Sequence, residues 1–573
     1  MTLQTNKETS VHSVFYYLII TMNMRISIVT PSTKGIGVCV FTGGGISNAM
    51  NQINLTELDQ TTAKVLRHLQ EVQEQLESGV RDPDLDDTLI NNFCRMVSND
   101  KTIIFKKQLE RLDENQFLIS FISVLTNLLI FPINQDSQSP LIDLLNVILS
   151  YLSFDQITFF YPREFIVSRI ESASPNATNL IINILSTKLN DTDLIDFLRD
   201  TSILDTLVTN HLSTDDYETL PLSVVNNTEK FISRIVNLNI LALIESKLFS
   251  NEAYQLYEQT RGLKNSTLIT RLLDLLIVLL PYWKTFSLNP SLYTFNSNDL
   301  NDLDDPFYPL LIIQFYTNLI KNLKHLEIGS EELFNNIKPP IDQIVQFYLS
   351  KNSNPMIESF YVTQIIELFE TLSYSSLSYC QSFVAECITK HNLFKSYNLY
   401  LDNESDVLLL SKINYQIFGQ SFCHDFFNDN LTKISLFNKK FFTIFLNLIK
   451  SEHLFNLIIT SDVNYFNFEK ISKLSIDQIY YIILQISKYN HSTVYLINNL
   501  PTIITDYLIN SPFEIINNEI WNLKLACLEN LLFNSDIDLK IWLDDLKKTY
   551  SLMKNGHNIK SINPQVDIAS DTI

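Results

Sequence analysis

The sequence predicts an all-α fold assembled from stacked helix pairs, and three observations carry that prediction. Glycine is scarce, 10 residues in 573, where an average chain carries about 7%. Apolar residues recur at helical spacing from Asn54 onward, and no alternating run is long enough for a strand. The strongest helices of the central region centre near residues 235, 274 and 316, with a weaker helix in each gap. That period of roughly 40 residues is the size of a HEAT or armadillo unit. The expected architecture is an α-solenoid of HEAT/armadillo-like helical pairs, roughly ten in number.

Residues 1–49 hold five of the ten glycines and a Thr42-Gly43-Gly44-Gly45 run, without amphipathic period. They read as an unstructured extension. The first helix starts at Asn54, whose side chain can cap, with Glu57 placed for a capping box. Leu55, Leu58, Val65, Leu66, Leu69, Val72 and Leu76 form its apolar face, and Gly79 suits the left-handed C′ position. Strong apolar helices follow at Phe117–Ile130, Leu141–Leu152, Leu180–Leu189, Leu268–Leu280, Leu310–Leu323, Phe360–Leu372, Phe441–Ile449, Ile479–Ile486 and Leu523–Phe533. Weaker amphipathic ones lie between them at Phe165–Ile170, Asp193–Arg199, Ile240–Leu248, Leu333–Ile337 and Phe383–Thr389. Helices are expected to stop at asparagine, as at Asn190, Asn352, Asn490 and Asn534, because asparagine tolerates the left-handed conformation. These elements divide the chain into an array over 50–283, an acidic Asn/Asp-rich loop over 284–306, a second array over 307–555 and a polar tail over 556–573.

The chain can bury a core, with 46% hydrophobic and 18% charged residues. Its net charge of −21 opposes phosphate binding, so no direct nucleic-acid contact is expected. The same acidity suits solubility or a basic protein partner. Six cysteines without a CxxC pair make no disulfide framework and point to a reducing compartment, the cytoplasm, with the nucleus as a second location. No apolar run reaches the roughly 18–20 residues of a membrane span. Val14–Ile20 lacks a basic lead and a cleavage site, so no signal peptide is expected.

Searches for chemistry return little. There is no Walker A loop, HExxH or GxSxG. Thr42–Gly45 lacks the lysine and following helix of a phosphate loop. Cys423-His424 are adjacent, so on a helix their side chains diverge by about 100° and make a poor dyad. No enzyme activity, cofactor, metal or small-molecule substrate is expected. The candidate contact residues are Asp299, Asp302, Asp304 and Asp305 in the acidic loop, placed to meet a basic partner or to keep the loop solvated. Lys547 and Lys548 make the C-terminal end locally basic.

Two stretches carry a family resemblance. One is Leu241-Ala-Leu-Ile-Glu-Ser-Lys-Leu-Phe-Ser-Asn-Glu-Ala-Tyr254 with Leu268-Ile-Thr-Arg-Leu-Leu-Asp-Leu-Leu276. The other is Leu539-Lys-Ile-Trp-Leu-Asp-Asp-Leu-Lys-Lys-Thr-Tyr550 with Asn555-Gly556-His557-Asn558, preceded by Leu525–Leu532. They resemble the fungal HEAT-repeat chaperone that assembles the base of the proteasome regulatory particle, a family that also bears a DNA mismatch-repair name. The resemblance runs from about residue 53 to the C-terminus. It implies a non-catalytic chaperone that holds the C-terminal domain of a proteasomal ATPase subunit and delays docking of a partly assembled ATPase module. It implies an indirect link to mismatch repair. The alternative is a transport-type or scaffold solenoid that binds basic cargo. Trp542 is expected to pack the last helix pair, and Tyr550 with Asn555-Gly556 to close the array as a cap.

Overall fold

The computed structural model describes residues 60–555, apart from 81–82, 102–111, 113–114, 131–134, 172–173, 218, 301–304, 327–328, 352–359, 396–397, 419–425, 462–463 and 511–516. Residues 65–573 group as one compact unit. Among the described residues there is no strand.

One ladder of helices organises this unit. Its first six members are α1 (Asp87–Asn99), α2 (Gln135–Ser150), α3 (Pro175–Ser186), α4 (Leu222–Asn237), α5 (Ser266–Leu279) and α6 (Phe307–Leu323). It continues through α7 (Val362–Ser373), α8 (Glu404–Lys412), α9 (Lys439–Leu448), α10 (Ile476–Ser487) and α11 (Asn518–Phe533). Each packs on the next. Ten steps from Asp87 to Asn518 give about 43 residues per step, which is the repeat period. The core is the buried apolar face of these helices, for example Leu268, Leu272, Leu276 and Leu279 of α5 against Ile312, Tyr316 and Leu319 of α6.

The units between ladder helices are not uniform pairs. After α2, α3 and α4 come two helices each: Phe154–Phe160 with Arg163–Glu171, Thr192–Asp200 with Ile203–Ser213, and the Leu241–Leu243 turn, extended by a π-helical Ile244–Leu248, with Asn251–Leu263. These are three-helix units. The sequence expectation missed Phe154–Phe160, Ile203–Ser213 and Asn251–Leu263. After α6 and α7 single helices follow, Ser330–Leu349 and Ser378–Lys390. Ser330–Leu349 continues as one helix past Pro339 and Pro340, where the sequence reading stops at Ile337. Burial of Ile337, Ile341, Ile344 and Tyr348 on one face outweighs the lost backbone hydrogen bonds.

Gly79 closes the first helix at φ +92° as predicted, with the Val80 N–H reaching the Gln75 carbonyl at 3.0 Å. Asparagine does substitute for glycine, at other positions than those expected. Asn239 and Asn392 take positive φ at helix ends. Asn534 has φ −84° and Asn490 opens a helix. Asn352 lies outside the described residues. Asparagine's larger use is at helix starts: Asn265, Asn403, Asn438, Asn467 and Asn517 each accept a hydrogen bond from the first turn.

The 284–306 segment is not a solvated loop where it is described. Leu288, Leu292, Tyr293, Phe295 and Leu300 are buried. Trp283 stacks on Tyr293 at 4.5 Å between ring centroids and donates its indole N–H to the Leu276 carbonyl at 2.9 Å. The Tyr316 hydroxyl accepts from the Phe295 N–H at 3.1 Å and donates to the Tyr293 carbonyl at 3.2 Å. The segment is an aromatic plug between α5 and α6, which also pack on each other directly. Its signal in the sequence is the spacing of Leu288, Leu292, Tyr293, Phe295 and Leu300 among the polar residues.

Candidate partner-binding surfaces

Asp299 is turned inward. It sits on the short helix Ser297–Leu300 with its side chain 8% exposed, and Arg261 lies 3.3 Å and Lys264 3.9 Å from its carboxylate oxygens. It also accepts from the Asn296 N–H at 3.0 Å. The Arg261 guanidinium lies 3.9 Å over the Phe295 ring and donates to the Tyr308 hydroxyl at 2.6 Å. Asp299 therefore serves as a buried counter-charge to Arg261 and Lys264. Asp305 is half-buried and accepts from the Phe307 N–H at 2.9 Å at the start of α6. Asp302 and Asp304 lie outside the described residues. The acidic candidates therefore do not present one described acidic surface.

Lys547 and Lys548 are exposed on the helix Leu543–Asn555. Tyr550 donates to the Glu529 carboxylate at 3.0 Å and its ring meets Phe533 edge-on at 5.7 Å, tying this helix to α11. Trp542 is only half-buried. This end leaves Phe533 70% and Ile541 80% exposed, beside the two lysines' helix. Gly556 lies outside the described residues.

One cluster imitates a catalytic triad. Asp342 receives His391 at 2.8 Å, Lys390 at 3.0 Å and the Cys387 thiol at 3.5 Å. Burial, and then the adjacent Asp342, push the Cys387 pKa up to about 12. A nucleophilic cysteine needs the opposite shift. The thiol is spent on the carboxylate rather than activated by the histidine. The Cys423-His424 pair lies outside the described residues. Among the described residues, no three or more His, Cys, Asp or Glu side chains are placed to hold a metal ion. No described helix is long and apolar enough to cross a membrane.

A cleft of about 560 Å³ opens where the turns after α8, α9 and α10 meet. Lys450, His453, Lys488 and His491 are among its lining residues. The sequence reading missed it, because its members are scattered over three units. Their only linear signal is an equal spacing: Lys450 to Lys488 and His453 to His491 are both 38 residues.

The class this fold defines is an all-α helical-repeat protein. The chain belongs to the family of the DNA mismatch repair protein HSM3. The model of that protein's N-terminal domain matches residues 66–321 and that of its C-terminal domain matches residues 330–573. The DNA mismatch repair protein HSM3 of Debaryomyces hansenii is 33% identical over 528 residues, covering 90% of this chain and 99% of the relative. Its namesake in Scheffersomyces stipitis is 31% identical over 530 residues with the same coverage, and that of Candida albicans 31% over 445.

Proposed function

We propose that the chain is a non-catalytic chaperone for the base of the 26S proteasome regulatory particle, holding the C-terminal domain of one proteasomal ATPase subunit. What supports this reading is the assembly-chaperone resemblance of Leu241–Tyr254 and Leu539–Asn558, which lie within the stretches matched by the family's two domain models, 66–321 and 330–573. A continuous ladder of eleven helices offers a long surface to a folded partner. The relatives are named for mismatch repair. For this chain we read that link as indirect, since a net charge of −21 opposes a protein whose work is gripping DNA. We place it in the cytoplasm and nucleus. Affinity purification of the chain from its own cells is expected to recover regulatory-particle ATPases without mature core particle. A purification that returns no proteasomal ATPase refutes the reading. The second reading, a scaffold for basic cargo, rests on the same negative charge and predicts strongly salt-sensitive capture of basic peptides.

A further inference from the structure

The C-terminal ends of α8, α9 and α10 and the turns after them carry a lysine every 38 residues: Lys412, Lys450 and Lys488. Because successive ladder helices pack on one another, positions one period apart become neighbours in space. Lys412 is spent on Glu370 at 2.7 Å. Lys450 and Lys488 line the 560 Å³ cleft with His453 and His491. The Lys450 ammonium donates to the Tyr374 hydroxyl at 2.8 Å and stands 4.9 Å over that ring, a neutral partner. Burial lowers the Lys450 pKa, Glu370 pushes it back up, and Lys488 lowers it again. A charge held this way is stabilised by an incoming anion.

The walls are tied together before any ligand arrives. A ring nitrogen of His491 lies 2.9 Å from the Ile449 carbonyl, and the Gln416 amide donates to the Lys450 carbonyl at 2.7 Å. Among the described residues Glu452 is the one carboxylate on the lining. The surrounding sequence runs against the chain's overall charge. Residues 431–500 carry seven lysines against two aspartates and two glutamates, within a protein of net charge −21. A local cationic cleft in an acidic molecule selects a short anion over a long one. A nucleic acid spreads its charge along the whole repelling surface, whereas one or two carboxylates meet only the cleft.

We propose that this cleft binds a carboxylate-bearing segment of a partner protein, through its acidic side chains or its terminal carboxylate, with Lys450 and Lys488 as the charged contacts. The proposal rests on the reading of the chain as a protein-holding scaffold, whichever partner it holds.

The test is fluorescence anisotropy of the full chain with labelled decapeptides: Glu-rich with a free C-terminus, Glu-rich and amidated, Gln-rich with a free C-terminus, and Gln-rich and amidated. A labelled DNA duplex completes the set. At least one carboxylate-bearing peptide is expected to bind, and the amidated Gln-rich peptide not to bind. The two mixed peptides tell side-chain from terminal recognition. K450M/K488M is expected to weaken binding at least about tenfold, with K230M/K324M, at exposed lysines outside the cleft lining, unchanged. K488M alone, at an exposed position, is expected to show a smaller loss in the same direction. The proposal is overturned by absent peptide binding, by affinity indifferent to K450M/K488M, or by DNA binding more tightly through the same lysines. Capture of ATPase by the wild type together with absent peptide binding overturns the cleft and leaves the proposed function standing. Peptide binding without any ATPase capture does the reverse.

Discussion

The substitution Asp299→Asn separates the structural role of the acidic segment from a partner-binding one. In the folded chain the Asp299 carboxylate faces Arg261 at 3.3 Å, with side chains 8% and 15% exposed, and Lys264 at 3.9 Å. Asparagine keeps the shape and the acceptor for the Asn296 N–H, and removes the charge. Breaking one partner of a fully buried pair costs about 3–5 kcal/mol. Lys264 is half exposed and Arg261 reaches the surface at one edge, so the smaller value of about 2 kcal/mol is expected. Arg261 also holds the Phe295 ring and the Tyr308 hydroxyl, so the loss should loosen the plug between α5 and α6. In a repeat array such a loss is felt by neighbouring units first. Urea unfolding followed by circular dichroism should show a lower midpoint, and hydrogen exchange should accelerate across residues 288–300. Because the pair is buried, the difference should persist at high salt. An Asp299→Asn protein that unfolds and exchanges like the wild type refutes the reasoning. If it also loses a partner, Asp299 is a contact residue after all.

Two further outcomes follow from buried charge. Lys351 and Asp406 pair at 3.1 Å with side chains 1% and 0% exposed, and the same carboxylate accepts from the Tyr348 hydroxyl at 2.8 Å and the Tyr400 N–H at 2.9 Å. Lys351→Met should cost about 3–5 kcal/mol by urea midpoint, and Lys351→Met/Asp406→Leu should recover part of it. His211 is 1% exposed, and burial first, then Arg271, hold its pKa down to about 4. A depressed folded pKa gives stability that is full above the unfolded value of about 6.5 and is lost as pH falls toward 4, about 3 kcal/mol in all. His211→Leu should flatten that part of the pH–stability curve, and an unchanged slope would place the acid sensitivity elsewhere.

What the sequence made legible was whatever repeats locally. Helical periodicity located most ladder helices, such as Leu268–Leu280 against the observed Ser266–Leu279, because burial of one face recurs every turn. Short polar-rich helices such as Asn251–Leu263 were missed because only Ala253, Tyr257 and Thr260 are buried there. The acidic segment misled because Asp299 sits among Asn and Asp residues whose charge reads as solvated. Its counter-charges, Arg261 in the last turn of a preceding helix and Lys264 just past its end, meet it only in three dimensions.

The cationic cleft escaped for the complementary reason. Net charge averages over the whole chain, and a stretch with a surplus of three lysines leaves little trace in a total of −21. In a stacked array the relevant neighbour of a turn residue is its counterpart one unit later, not the residue beside it. Lys450 and Lys488 are 38 positions apart in sequence, yet Lys488 is near enough to help depress the Lys450 pKa. Interaction sites in such chains are therefore best sought by comparing turn residues at the repeat spacing. On that comparison Lys412 is neutralised by Glu370 while the next two lysines line a cavity. That difference between the first rung and the other two is why the proposed carboxylate contact falls on Lys450 and Lys488 rather than on Lys412.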